Sequence, residues 1–348
     1  MTVGPLNPQV PTPAAPAAPP ASPRDPGAEV RDSYAPGSTP GAPAAWARRD
    51  PARARELGLP EDTPFVQDLP ATPGGTFPPP PPALPRPVLL VHGLSKQGSF
   101  WFNLRNYLAS NPDNRPGPDF HVDREAGFVE EVRKDPGARV FSISLSNPRG
   151  SYRDLAPELT RCLEVLRRET GAAEVDVVAH SMGGLVTREH LDGPEDGIHR
   201  FIMLATPNHG SLEADVALAT DRLRLYRHYP DGTTKVLQDI GLDESFLGHE
   251  NNPHLHGLNE RWPEQRAKVE PVIITGAGIP TPDWNLALFS TGDGMVTARS
   301  AWMPDTEYYV AAPPQSQTDR LFSLQYNHGQ IQEQPAVAHL VGQLLARS

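Results

Sequence analysis

Proline is distributed so unevenly that it divides the chain before any motif is considered. Residues 1–87 contain 24 of the 42 prolines, although they make up only a quarter of the 348 residues. Residues 1–83 hold only 13 side chains from Val, Leu, Met, Phe, Trp and Tyr, and no Ile. Such a segment buries too little apolar surface to offset about 1–2 kcal/mol per residue of backbone ordering. We therefore predict a disordered Pro/Ala-rich tail and linker over residues 1–84 and one folded domain over residues 85–348.

The tail itself allows two interpretations. Its composition suits a solvated leader, and it equally suits a docking strip for a proline-recognising partner. Residues 78–82 are five consecutive prolines, which predict a semi-rigid spacer. Residues 46–69 have a less extreme amino-acid composition and could lie against the domain. Few apolar side chains precede residue 60, however. We therefore expect that residues 1–60 can be deleted at little cost in stability.

Charge and composition exclude several classes of protein. The formal net charge of −11 argues against nucleic acid as a partner, because phosphate binding needs clustered Lys and Arg. The longest aliphatic runs, such as Val88–Val91, fall far short of the roughly 20 residues of a spanning helix, so we predict no transmembrane segment. The N-terminus lacks the features of a signal peptide, which favours a cytoplasmic location and leaves non-classical export open. The single cysteine, Cys162, rules out an intramolecular disulfide.

After Pro87, short apolar runs alternate with helical patterns. One helix is indicated by Leu155, Leu159, Cys162, Leu163 and Leu166, with Gly171 as its stop, and it places Cys162 in the core. Such alternation predicts a doubly wound, mainly parallel α/β sheet. The predicted strands are 88–92, 138–144, 174–180, 199–205, 271–276 and 306–311.

Ser181 has the sequence surroundings of a catalytic nucleophile. It follows the strand 174–180 at once and precedes a helical run, which is the strand–turn–helix context of a nucleophile elbow. Such a turn needs small residues two positions to either side, and these are Ala179 and Gly183. The Ala departs from the G-x-S-x-G form by one methyl group. We predict that the Ser181 hydroxyl projects from the carboxyl edge of the sheet.

Acyl transfer also requires two backbone N–H groups directed at the developing oxyanion. The residue after the nucleophile, Met182, supplies one candidate. The loop after the first strand, His92-Gly93-Leu94, supplies the other, and Gly93 leaves room for the Leu94 amide to face the site. His92 is interpreted as a hydrogen-bonded structural histidine rather than a catalytic one.

These motifs resemble the α/β-hydrolase superfamily, and within it the lipases and esterases with an A-H-S-M-G elbow. The resemblance rests on Val91-His92-Gly93, on residues 179–184 and on Leu204 to Ser211, a string that also looks like the related GPI-inositol-deacylase-like group. It spans about residues 85–347. It implies a catalytic order of Ser, acid and His along the chain.

The resemblance directs attention to Asp293 and His328. Asp293 lies in the Gly-flanked turn Thr291 to Gly294 and is favoured over Asp283, which lies in a Pro-rich stretch. His328 lies in a loop before the last helix and is favoured over His339, which lies inside that helix. Asp293 would orient the imidazole, and His328 would act as general base.

About 60 residues separate Pro207 from Pro271, where a connection of roughly a dozen would suffice. We predict that the insertion at about 210–262 forms a cap over Ser181, because this connection emerges at the ligand-binding edge of the sheet. An accessory subdomain packed to one side is the alternative. The side chains expected to form the apolar underside are Leu212, Val216, Leu218, Leu223, Leu225, Phe246 and Leu247.

The insertion also holds a histidine cluster that could bind zinc. His249, His254 and His256 with Glu250 offer enough ligands. The sequence indicates no regular helix to fix their geometry, so the metal interpretation is not favoured. We expect neither a metal nor another cofactor.

Together these features predict a serine ester hydrolase, lipase- or carboxylesterase-like, acting on a small-molecule or lipid ester through an acyl-enzyme. An acyltransferase or amidase with the same triad stays open, because these motifs do not indicate which molecule receives the acyl group. So does a non-catalytic binding protein on a hydrolase scaffold, since fold alone does not prove function.

Overall fold

The computed structural model of the chain describes eleven stretches of residues. They are 50–63, 66–69, 78–123, 127–128, 135–194, 197–212, 214–217, 233–242, 252–283, 288–311 and 328–348. The first 49 residues of the predicted tail lie outside them, so that part of the tail prediction stays a prediction.

A mainly parallel sheet organises the described part of the domain. Nine strands form it in the order β1-β11-β8-β7-β6-β2-β5-β3-β4, and every pair except β3 with β4 is parallel. Strands β9 and β10 form a separate antiparallel hairpin. The strands are β1 (Val66–Leu69), β2 (Val88–Val91), β3 (Arg115–Asp123), β4 (Gly127–Phe128), β5 (Ala138–Ser144), β6 (Val175–His180), β7 (Ile198–Leu204), β8 (Glu270–Gly276), β9 (Ile279–Asp283), β10 (Leu288–Gly292) and β11 (Glu307–Ala311). The predicted α/β fold is confirmed.

All six strands predicted from the sequence are present, as β2, β5, β6, β7, β8 and β11. Every residue of β2 and of β6 is buried. Since successive side chains of a strand point to opposite faces, both faces of the sheet centre are covered. This is why these strands have nearly continuous apolar sequences.

Helices connect the strands. They are α1 (Pro51–Glu56), α2 (Phe102–Leu108), α3 (Tyr152–Thr170), α4 (Met182–Leu191), α5 (Thr233–Asp239), α6 (Pro253–Glu260), α7 (Trp262–Arg266), α8 (Ala298–Ala301) and α9 (Pro335–Leu345), with 3₁₀ helices at Gly98–Trp101 and His328–Glu333. Helix α3 ends at Gly171, whose φ of 72° is a conformation that glycine adopts without strain. Cys162 is fully buried on α3, and burial raises the pKa of its thiol, as expected for a core residue. None of the described helices combines the length and the hydropathy that crossing a membrane would require.

Part of the segment predicted as tail and linker belongs to the folded domain. Helix α1 begins at Asp50, whose side chain accepts from the Arg53 N–H at 3.0 Å. Ala54, Leu57 and Leu59 are at most 5% exposed and join the hydrophobic core. The prediction that 1–84 lies outside the core is therefore wrong for residues 50–69 as far as they are described. Apolar residues are few here, but they lie where they reach the core.

The run of prolines at 78–82 is also part of the domain surface. The Asn111 and Asn114 side-chain amides donate to the carbonyl oxygens of Pro81 and Pro82, each at 2.9 Å. The Leu84 N–H in turn donates to Asn114 Oδ1 at 2.7 Å. A proline run has unpaired carbonyl groups, and here asparagines of the domain bind them. The run is thus a docked strap rather than the predicted spacer.

The described part of the insertion packs against helices α3 and α4. Its buried side chains include Val236, Leu237, Leu255, Leu258 and Trp262. Arg153 on α3 forms a 2.7 Å ion pair with Asp239. Leu212 is buried and Val216 is exposed, while Leu218, Leu223, Leu225, Phe246 and Leu247 lie outside the described residues. A cap over Ser181 stays a prediction.

Candidate active site

Ser181 lies on a strained turn between β6 and α4. Its φ of 53° and ψ of −129° belong to a region that residues with a side chain rarely adopt. The neighbouring elements hold it there, since the Ser181 N–H donates to the Leu204 carbonyl at 2.9 Å. The side chain is partly exposed although β6 and α4 are buried. The turn therefore presents the hydroxyl at the carboxyl edge of the sheet.

The small residues around Ser181 have a direct structural reason. A Cβ atom added at Gly183 would lie 2.7 Å from the Val91 carbonyl oxygen and 2.5 Å from that of His92. On the other side of the turn, Ala179 pairs with Val91 across β6 and β2 and is completely buried. The helix and the neighbouring strand pass so closely that position 183 has room for glycine alone.

The structure brings together the three predicted side chains. The Ser181 Oγ lies 2.9 Å from His328 Nε2, and His328 Nδ1 lies 2.8 Å from Asp293 Oδ2. Asp293 is completely buried and His328 is only 6% exposed. Serine, imidazole and carboxylate thus form one chain of hydrogen bonds, although they come from three separate regions of the sequence.

The carboxylate of Asp293 is held by its own turn. Its Oδ1 accepts from the N–H groups of Met295 and Val296 at 3.0 and 2.8 Å. Gly294, with a φ of 98°, provides the backbone reversal. With Oδ1 engaged as an acceptor, Oδ2 is left for the Nδ1–H of His328. The turn fixes the direction from which the Asp293 carboxylate meets the His328 ring.

The two rival candidates lie elsewhere. Asp283 ends strand β9 and lines a cavity of about 330 Å³ together with His209, Arg299 and Trp302. None of the three contacting residues lines that cavity. His339 is buried on α9, where its Nδ1 lies 3.4 Å from the Tyr107 hydroxyl. The imidazole that contacts Ser181 is that of His328, and the carboxylate that contacts this imidazole is that of Asp293.

The predicted oxyanion donors flank the same serine. A Cβ atom added at Gly93 would lie 2.8 Å from the Ser181 Cβ, so the loop after β2 passes directly beside Ser181. Met182 is the first residue of α4. Within the described part of the chain, neither the Leu94 nor the Met182 N–H donates to a protein acceptor. Their role as oxyanion donors stays a prediction.

His92 has the hydrogen bonds of a structural histidine. Its Nε2 accepts from the Leu145 N–H at 3.1 Å, and its Nδ1 lies 2.9 Å from the Gly93 carbonyl oxygen. Because Nε2 accepts, the proton sits on Nδ1. Burial lowers the pKa of the ring. The neutral side chain thus ties the end of β2 to the chain after β5.

The segment from Thr206 to Gly210, part of the resemblance, is a structural junction. Asn208 is fully buried and its side chain donates to the Ala301 carbonyl at 2.7 Å. The Asn208 Oδ1 accepts from buried Arg188 on α4 at 3.1 Å. Arg188 also donates to Asn259 and to the Leu258 carbonyl in the insertion. This junction connects helix α4, which follows Ser181, to the insertion.

The histidines considered for zinc differ from the prediction in their surroundings. His254 and His256 lie on helix α6, so the expectation that the segment lacks a helix is wrong. Asn252 caps that helix by accepting from the Leu255 N–H, and Pro253 is its first residue. His254 Nε2 lies 3.0 Å from a Glu189 carboxylate oxygen. His249 and Glu250 lie outside the described residues.

One side chain at the site received no role from the sequence. His180, directly before Ser181, is 2% exposed and its Nε2 lies 2.8 Å from the His328 carbonyl oxygen. Its place at the carboxyl end of a strand beside the nucleophile is the signal that the sequence offered.

Comparison with known proteins agrees with this architecture. The family model described as alpha/beta hydrolase fold matches residues 86–271, just over half of the chain. The mature lipase BlEst2 of Bacillus licheniformis aligns at 18% identity and a TM-score of 0.51, over 78% of this chain and 96% of its own. The metagenomic carboxyl esterase MGS0156 aligns at 15% identity and a TM-score of 0.45, over 91% and 98%. The likeness to BlEst2 shows a shared fold, whereas a particular relation to GPI-inositol deacylases stays a prediction.

Proposed function

Because the chain belongs to the α/β-hydrolase family, we propose that it is a serine ester hydrolase that cleaves small-molecule or lipid carboxylic esters. The observation that carries the proposal is the chain of hydrogen bonds from Ser181 through His328 to Asp293. A nucleophile, its base and the group that orients the base must lie within hydrogen-bond reach in this order.

In the proposed acylation step, the Ser181 Oγ attacks the acyl carbon while its proton passes to His328 Nε2. The imidazolium that forms donates from Nδ1 to the Asp293 carboxylate, which stabilises the positive charge. The tetrahedral intermediate then collapses. Its C–O bond to the alcohol breaks, the alcohol oxygen takes the proton from His328 Nε2, and Ser181 is left acylated.

In the proposed deacylation step, water replaces the alcohol. The water oxygen attacks the acyl carbon while His328 takes one proton from the water. His328 then returns that proton to the Ser181 Oγ when the bond between Ser181 and the acyl group breaks. The products are a carboxylic acid and free enzyme.

We assign the developing oxyanion to the N–H groups of Leu94 and Met182. Each such donor contributes on the order of 3 kcal/mol to transition-state stabilisation. Met182 opens helix α4, so the positive end of the helix dipole is directed to the same place. No cofactor takes part in this reaction.

Labelling with a fluorophosphonate and hydrolysis of p-nitrophenyl esters of short and long fatty acids test the proposal. We expect the label on Ser181, and we expect Ser181→Ala to lose both labelling and nearly all turnover. His328→Ala should be about as damaging, whereas His339→Ala, a matched substitution of a buried histidine, should keep most activity. A label on another serine such as Ser95, or an unaltered protein that neither labels nor hydrolyses any ester, would contradict the proposal.

A further inference from the structure

His180 is a buried imidazole that the proposed reaction does not use. It ends strand β6 and is 2% exposed. Its Nε2 lies 2.8 Å from the main-chain carbonyl oxygen of His328. A carbonyl oxygen only accepts, so His180 Nε2 carries the proton and donates it. Within the described residues its Nδ1 has no hydrogen-bond partner.

The ring of His180 lies between the His328 ring and the chain that follows strand β2. Its centroid is 4.8 Å from the ring of His328 and 4.7 Å from that of Phe100. Phe100 follows the loop His92-Gly93-Leu94, called here the oxyanion loop. A Cβ atom added at Gly93 would lie 3.1 Å from His180 Nδ1. One side chain therefore contacts the base and the oxyanion loop, and is the neighbour of the nucleophile in sequence.

Within the described residues, three hydrogen bonds tie His328 to other parts of the fold besides its contact with Ser181. Two involve Asp293, which accepts from His328 Nδ1 at 2.8 Å and from the His328 N–H at 3.2 Å. The third is the bond from His180 to the His328 carbonyl. The main-chain N–H and carbonyl groups of His328 are thus both hydrogen-bonded. The bond to the carbonyl comes from the end of strand β6, directly before Ser181.

We propose that His180 is a positioning residue, which through its hydrogen bond to the His328 carbonyl holds the His328 imidazole at bonding distance from the Ser181 hydroxyl. This inference rests on the proposed function, in which His328 is the base. The bond fixes the distance between β6 and the His328 turn directly. Misplacement of a reacting group by about 1 Å can cost on the order of 10²-fold in rate.

The surroundings of His180 keep the ring neutral. Burial, followed by the neighbouring His328, lowers its pKa well below the ordinary value for histidine. A neutral His180 donates one hydrogen bond without placing a second positive charge beside the imidazolium that His328 becomes. The proposed role therefore needs a buried, neutral donor, and an aliphatic side chain would lack the donor.

Two substitutions of similar size separate the hydrogen bond from the packing. His180→Gln retains an N–H donor, and His180→Met replaces it with an apolar chain of similar length. We expect His180→Met to lower kcat for p-nitrophenyl butyrate by about 10²-fold with KM within about twofold, and to slow fluorophosphonate labelling in parallel. We expect His180→Gln to restore kcat to within about tenfold of the unaltered protein. His190→Gln, at another buried histidine of the chain, should leave kcat within about twofold and serves as control.

Each outcome of this experiment decides the proposal. Equal kcat values for folded Gln and Met variants would overturn it, as would a Met variant as active as the unaltered protein. A Met variant that is unfolded where the Gln variant is folded would assign the bond to stability and would also overturn it. Absence of turnover and labelling in the unaltered protein would instead count against the proposed function.

Discussion

Among single residues, Gly183 has no room for a side chain at the turn that carries Ser181. Substitution by Ala would bring a methyl group against the carbonyl oxygens of Val91 and His92, and the helix carrying it would have to move. We expect Gly183→Ala to lower the free energy of unfolding by about 1–3 kcal/mol, as overpacking does. We also expect it to lower kcat by at least about tenfold, because the Ser181 turn moves with the helix.

Gly329 offers a matched control for that substitution. It is next to His328, but a Cβ atom added there would have no neighbour among the described residues within 4 Å. Gly329→Ala should leave both the urea midpoint and kcat close to those of the unaltered protein. Similar losses in the two variants would show that crowding at the Gly183 turn is not the cause.

Asp293 and Asp283 provide a second matched pair. Asp293→Asn would place an amide where Oδ2 accepts from His328 Nδ1, which favours the wrong tautomer of the base. We expect a loss of about 10⁴-fold in kcat with little change in stability. Asp283→Asn should keep most of the activity, because the His328 Nδ1 is bonded by Asp293. The reverse order, measured by steady-state hydrolysis of a p-nitrophenyl ester, would show that the acid has been misassigned.

The candidate site was predictable to the extent that its residues lie in local motifs. Ser181 follows a recognisable strand and precedes a helix, and Asp293 lies in a glycine-flanked turn. The proposed role of His180 was not predictable, because its partner is a backbone carbonyl 148 positions away. A main-chain group carries no side-chain signature that a sequence could display.

Among the helices and strands, α1 gives the clearest test of the revised domain boundary. Leu57 is completely buried beside Ala54 and Leu59. We expect Leu57→Ala to cost about 2–5 kcal/mol of unfolding free energy, as is usual for truncation of a buried leucine. The earlier expectation that residues 1–60 could be deleted without cost is replaced by this one.

The exposed Arg55 on the same helix is the control for Leu57. Its ion pair with Glu61 has both side chains more than half exposed, and such pairs contribute little. Arg55→Ala should leave the thermal midpoint nearly unchanged. If Leu57→Ala were equally silent, α1 would not contribute to the stability of the domain.

Two of the strands that the sequence did not reveal, β1 and β3, contain or lie close to prolines. Strand β3 contains Pro116 and Pro118 with Gly117 between them, and its register with β5 shifts at this place. Strand β1 is only four residues long and lies between Pro64 and Pro70. Both lie toward the margins of the sheet, where proline and irregular pairing are tolerated. The predicted strands have nearly continuous apolar sequences, and β1 and β3 do not.

For the molecule as a whole, buried histidines predict a loss of stability in mild acid. Burial, followed by the charge of Lys268, lowers the pKa of His190 to about 4 from its ordinary 6.5. Between these two values the unfolded chain binds a proton that the folded chain does not, so stability falls as pH falls. The pKa values of His92 and His180 are lowered as well, and they act in the same direction.

We expect His190 alone to account for about 2 kcal/mol of lost unfolding free energy at pH 5 relative to neutral pH. Urea midpoints of the unaltered protein and of His190→Gln at the two pH values test this. The variant should lose less stability on acidification than the unaltered protein does. An identical loss in both would show that His190 does not titrate in the expected range.

The pairing of β1 with β11 has a consequence for how the protein is made. Val66 lies opposite Tyr308, so the ribosome adds about 240 residues after the first partner before it reaches the second. At about 5–20 residues per second, this takes on the order of 10–50 s. The central strands β7, β6, β2 and β5 are neighbours in the sheet, flanked by β8 and β3. All six of these strands are translated before β11. Strand β1 therefore waits for β11, and that edge of the sheet forms only after Ala311 has been added.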